Sequence, residues 1–103
     1  MSIRIPRTPQ AVWRAIRTFG SQEAMGREID VEQQTISSMG KGDRPVPAEL
    51  CPVIERKTRE IAQRKGDPSL IVPCEELRPD VEWWVLRNQE HPKAAQSREP
   101  QRA

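Results

Sequence analysis

Residues 20–39 read GSQEAMGREIDVEQQTISSM, and this stretch decides the fold. Met25, Ile29, Val31, Ile36 and Met39 fall at the spacing that packs two short helices against each other at a steep angle. Gly26 stands where those helices cross most closely, a place only a small side chain fits. Asp30 occupies the sharp turn between them, where the backbone needs positive φ; glycine is usual there, and Asp tolerates the conformation better than most residues. The second helix of the pair opens on Glu32-Gln33-Gln34. Gln33, Gln34 and Ser37 are left pointing away from the packed face. In a helix-turn-helix the second helix enters the DNA major groove and its first residues meet base edges. A glutamine amide matches adenine by donating to N7 and accepting from N6–H.

Outward from this pair, Thr8-Pro9 predicts a helix start, with a capping hydroxyl followed by proline in the first turn. Val12, Trp13, Ile16 and Phe19 give that first helix an apolar face, Gly20 ends it as a left-handed cap, and Ser21 caps the next helix. The recognition helix is expected from about Glu32 to Met39, ending at Gly40-Lys41-Gly42. A proline-containing loop leads to a fourth helix, regular only near Pro52, with Val53, Ile54, Thr58 and Ile61 facing the core. Ser69–Val72 reads as an extended piece, Cys74–Leu77 as a helical turn, and Val81–Arg87 as a last helix capped by Asp80. Arg78-Pro79-Asp80 is expected to form a corner in which Arg78 ties back to Glu75 or Glu76. The reading is an all-α domain of about five helices, residues 8–87, between a flexible arm (1–7) and a disordered tail (88–103) that holds the lone His91.

The chain has 103 residues, 35% hydrophobic and 31% charged, with a net charge of +2. This suits one small domain with a modest core and part of the chain disordered. No apolar run is long enough to span a bilayer and the start lacks a secretory apolar segment, so a cytoplasmic protein without membrane contact is expected. Cys51 and Cys74 fit no metal spacing and are expected as buried thiols rather than a disulfide. No nucleophile–base pair, metal cluster or phosphate loop is present, so no catalytic residue, metal or cofactor is assigned. Charge is unevenly distributed: residues 1–20 carry Arg4, Arg7, Arg14 and Arg17 with no acid, whereas 67–82 carry Asp67, Glu75, Glu76, Asp80 and Glu82 against Arg78 alone. A basic leading part is suited to phosphates. Phosphate contacts are expected from Gln22 at the start of the second helix, where the N-terminal amides help, and from Lys41 and Arg44 in the loop after the third, with Arg17 and Arg14 as additions from the basic part. Trp13, Trp83 and Trp84 are read as packing residues rather than base-stacking ones. Of the adjacent pair one turns inward, and the other, Trp84, is a candidate dimer contact.

The run GSQEAMGREIDVEQQTISSMGKGDRPVPAELCPVIERKT (20–58), followed by CEELRPDVEWW (74–84), resembles Cro/C1-type (lambda repressor-like) phage repressors. It looks most like the YdaS-like group, described as antitoxins or Cro-like regulators of prophage regions. The resemblance covers about residues 11–87. It implies a transcriptional regulator, a repressor binding double-stranded operator DNA as a homodimer. An antitoxin-like or adaptor module that binds a toxin or another protein on the same fold is the alternative. Four departures stand out: Asp30 for the usual turn glycine, Met39 for a usual tryptophan, Glu32 where serine is common, and a longer segment between Thr58 and Cys74.

Overall fold

The computed structural model describes residues 5–86, and all regular structure among them is helical. The expected tail 88–103 and residues 1–4 of the expected arm lie outside the described residues. Six α-helices follow in order: α1 (Pro9–Phe19), α2 (Gln22–Ile29), α3 (Gln33–Lys41), α4 (Cys51–Lys65), α5 (Cys74–Leu77) and α6 (Trp83–Leu86). Short 3-10 turns, Ala48–Leu50 and Pro68–Leu70, precede and follow α4. The number agrees with the expected five or so, the turn Cys74–Leu77 counting as a helix of its own.

Ala11, Val12, Ala15 and Ile16 of α1 turn inward and meet Met25 and Ile29 of α2, Ile36 and Met39 of α3, and Ile54 of α4 in one core. These positions recur at helical spacing, which burial of one face requires. The expected apolar face of α1 needs one correction. Trp13 is 45% exposed, and its indole N–H donates to the Gly40 carbonyl at 2.8 Å. The ring lies over Gly40, where an added Cβ would stand 3.2 Å from the indole nitrogen. Trp13 therefore ties α1 to the last turn of α3 instead of filling the centre.

The helix ends are set by local chemistry. Ser21 Oγ accepts from the Ala24 N–H at 3.0 Å, the N-cap expected of it. Gly42, at φ 81°, closes α3: its N–H donates to Met39 O, and the Asp43 N–H reaches back to Ser38 O at 2.9 Å. That bond pair satisfies carbonyls the helix would otherwise leave open. Two expected features differ. Thr8 does not cap α1; its hydroxyl donates to Leu77 O at 2.8 Å, joining the start of α1 to α5. Gly20 takes positive φ, 109°, but with ψ −37° it lies outside the left-handed helical region.

On α4 the buried stripe is Cys51, Ile54, Glu55, Thr58 and Ala62, while Val53 and Ile61 are only half-buried. Two of its members are polar because they hold the following chain. The Thr58 hydroxyl donates to Ile54 O at 2.8 Å and accepts the Val72 N–H at 3.1 Å. Glu55 accepts the Cys74 N–H at 2.8 Å and pairs with Arg59 at 2.7 Å. From α1, Arg14 donates to Ser69 O and Ile71 O, both at 3.0 Å, and also pairs with Glu76. Thr18 donates to Leu70 O at 2.8 Å. Residues 69–74 are thus a backbone strap whose polar groups are met by side chains of α1 and α4, as buried backbone requires. The expected extended stretch 69–72 begins only at Ile71, since Pro68–Leu70 curls into a 3-10 turn.

Corrections follow at the corner. Arg78 is held at Asp80 and Val46, where a tie back to Glu75 or Glu76 was expected. Its guanidinium grips both Asp80 oxygens at 2.8 Å and donates to Val46 O at 3.0 Å. With its carboxylate so held, Asp80 does not cap the last helix, which begins at Trp83 rather than Val81. Arg87, its expected end, lies outside the described residues. Trp83 is the inward member of the pair, 4% exposed, with its indole N–H on Arg78 O at 2.9 Å. Cys51 and Cys74 are buried thiols outside any disulfide, and burial pushes the Cys51 thiol up to about 12.

Candidate nucleic-acid interface

The geometry of α3 begins with Gly26. A Cβ built there would stand 2.6 Å from the Val31 carbonyl oxygen and 3.5 Å from Ile36 Cδ1. Any larger residue would push the turn and α3 off α2. Asp30 makes the turn in the left-handed conformation expected of it, φ 58° and ψ 51°, and the Val31 N–H closes onto Gly26 O at 2.9 Å. With Ile36 and Met39 both fully buried, α3 has only one face left to present. Met39, in place of the tryptophan the resemblance suggests, is wholly shielded from solvent.

On the presented face Gln33 and Gln34 are exposed, whereas Thr35, Ser37 and Ser38 are half-buried. Helical spacing puts Gln33, Ser37 and Lys41 in one row and Gln34 and Ser38 in the next. Two shallow clefts flank these rows. One is lined by Glu32, Gln34, Thr35, Ser38 and Arg44. The other, at the turn, is lined by Glu23, Gly26, Arg27, Asp30, Val31, Glu32 and Gln33. The exposed Arg44 therefore comes beside the second glutamine row, and the exposed Lys41 ends the first. Gln22, half-buried at the start of α2, and Arg17, exposed in the last turn of α1, line neither cleft. Arg14 is committed to the strap and to Glu76, which removes it from the phosphate-facing set. Trp84 on α6 is half-buried.

Sequence reasoning missed Arg27. It lines the turn cleft with Gln33 and sits 3.6 Å from Glu23, both side chains more than two-thirds exposed. The signal was there, a basic residue one turn past Glu23 on the short α2, but it reads as an ordinary surface pair. It also missed how acidic the pair of helices is. Residues 22–44 carry Glu23, Glu28, Asp30, Glu32 and Asp43 against Arg27, Lys41 and Arg44. Lys57 of α4 offsets one of these acids, approaching Glu28 at 3.4 Å. Glu32 holds the N-cap position of α3 without a side-chain cap hydrogen bond.

Residues 12–86 match the family model described as "Bacterial toxin YdaS". The chain belongs to this family. Within it, the chain is 43% identical over 74 residues to a curated protein of Escherichia coli (strain K12), "Putative transcriptional regulator YdaS". That match takes in 72% of this chain and 65% of the relative's length. No solved structure matches the chain. The YdaS match runs from α1 to α6, so strap and corner lie inside the family's span as much as the two-helix unit does. Among the described residues no group of His, Cys, Asp and Glu could hold a metal ion, and no helix is long and apolar enough to cross a membrane.

Proposed function

We propose that this YdaS-family chain regulates transcription by binding double-stranded DNA in the bacterial cytoplasm, with α3 in the major groove. The observation that carries the reading is the division of α3: Ile36 and Met39 are sealed inward while Gln33 and Gln34 stand exposed, Gln34 in a cleft shared with Arg44. In this reading Gln33, Gln34 and Ser37 meet base edges, and Lys41, Arg44, Gln22 and Arg17 hold phosphates. One copy spans only a few base pairs. A Cro-like repressor would therefore act as a homodimer, with half-sites about 34 to 36 Å apart and Trp84 at the contact between copies. Repression follows if the occupied operator excludes polymerase.

The deciding experiment titrates the protein against its own upstream duplex and a scrambled duplex at two salt concentrations. Gln33→Ala is expected to cost about 1–3 kcal/mol and to relax preference at one base pair. Arg44→Ala should weaken all sequences alike and lower the salt slope by about 0.9. If both variants bind as the parent does, α3 is not the reading helix.

A second reading, a toxin-binding or adaptor module with weak DNA affinity, is favoured by one observation. Glu23, Asp30 and Glu32 gather in the turn cleft at the start of α3, where they repel phosphate. Weak, salt-sensitive binding to both duplexes alike is the outcome expected of that module.

A further inference from the structure

The residue that starts the reading helix is a poor choice for starting a helix. Ser, Thr, Asp and Asn reach back to the first free N–H groups, whereas Glu caps weakly. Glu32 makes no side-chain cap hydrogen bond, and among the described residues no cation pairs with it. Its side chain is exposed and borders both clefts, with Gln33 on one side and Gln34, Thr35, Ser38 and Arg44 on the other. A carboxylate at this place is unhelpful to phosphate contact, yet it shares one cleft with Gln33 and the other with Gln34.

We infer that Glu32 is a specificity-determining residue that accepts a hydrogen bond from the N4 amino group of a cytosine next to the bases read by Gln33 and Gln34. This rests on the proposal that α3 reads the major groove. Base chemistry selects the partner. Cytosine shows only a donor, its N4 amino group, on its major-groove edge. Guanine shows two acceptors and thymine an acceptor with a methyl group, and both repel a carboxylate. Adenine offers its N6 amino group, but the adjacent N7 lone pair faces the same carboxylate. Arg44, sharing a cleft with Glu32, offsets the repulsion of the nearest phosphates. At physiological salt that repulsion is screened over about 8 Å, whereas a contact at hydrogen-bond distance is not.

The test is selection from a pool of randomised duplexes by the full chain, by Glu32→Gln and by Glu23→Gln. The last removes an acid from the same cleft but not from α3. The parent chain should enrich a motif with cytosine beside the glutamine-read bases. Glu32→Gln should lose that preference, on the order of tenfold, and keep the rest of the motif; Glu23→Gln should keep all of it. If Glu32→Gln keeps the cytosine preference, and tightens binding to every sequence as Glu23→Gln does, Glu32 acts by charge alone and the inference falls while α3 remains the reading helix. If the parent chain enriches no motif at all, the DNA-reading proposal itself fails, and this inference with it.

Discussion

Replacing Gly26 by alanine sets two effects of opposite sign against each other. Alanine in place of a helical glycine stabilises by roughly 0.5–1 kcal/mol through helix propensity. Against this, the new Cβ lies 2.6 Å from the Val31 carbonyl oxygen. It must retreat by at least about 0.4 Å even to reach the 3.0 Å that real Cβ contacts respect. The obstructing atom is backbone, and the Val31 N–H already binds Gly26 O at 2.9 Å, so the turn cannot swing away cheaply. Ile36 Cδ1, 3.5 Å off, is already in van der Waals contact and leaves little spare room. Overpacking of this kind costs about 1–3 kcal/mol, and the net expectation is a loss of about 1–2 kcal/mol. For a domain of this size that lowers Tm by roughly 4–16 °C. Urea and thermal unfolding measure it directly. DNA titration should show a further loss of sequence preference at temperatures where the variant remains folded, since α3 is displaced relative to α2. A Gly26→Ala chain as stable as the parent, or more so, would refute the reasoning: propensity would then have outweighed the clash, and the α2–α3 crossing would be looser than the geometry describes.

Two further outcomes test the strap and the corner. Thr58→Val keeps the shape but leaves the buried Val72 N–H without the hydroxyl that accepts it at 3.1 Å; a loss of about 1–3 kcal/mol is expected in urea unfolding, and Thr58→Ser should recover most of it. At the corner, the hydrogen bonds from Arg78 hold the Asp80 carboxyl below its ordinary value of 3.8. A depressed carboxylate contributes stability that is present above the unfolded value and lost as pH falls through the folded one. Thermal melts of the parent and of Asp80→Asn should therefore differ by a constant amount above about pH 5 and converge below pH 3.8; a gap unchanged down to pH 2 would mean the pair contributes nothing that titrates.

Much of the two-helix unit was legible because its signals are local. Ser21 as a cap, Asp30 in the left-handed turn and Gly26 at the crossing each follow from one residue's own conformational or steric limits. The outward placement of Gln33 and Gln34 follows from helical period once Ile36 and Met39 are buried. The end of the chain was harder. Asp80 resembles a helix cap by sequence, but capping competes with the guanidinium of Arg78, and a two-point charged contact wins. Thr8 likewise had a hydroxyl in capping position that a distant carbonyl, Leu77 O, took instead. Arg14 looked like a phosphate ligand until three carbonyl and carboxylate groups from residues 69–76 closed on it.

By itself, the order of residues determined the all-helical class, the two short helices packed across a sharp turn and the two glutamines exposed at the start of the second, because period, caps and turn chemistry act over a few residues. Tertiary structure alone decided what the polar members of buried faces are for. Thr18, Glu55 and Thr58 stand at core positions to satisfy the backbone of a strap 14 to 52 residues further along the chain. Trp13 stands half-exposed to hold the end of α3. A hydrogen bond between groups so distant in sequence leaves no periodic trace, and its partner becomes visible only when the chain has folded back on itself.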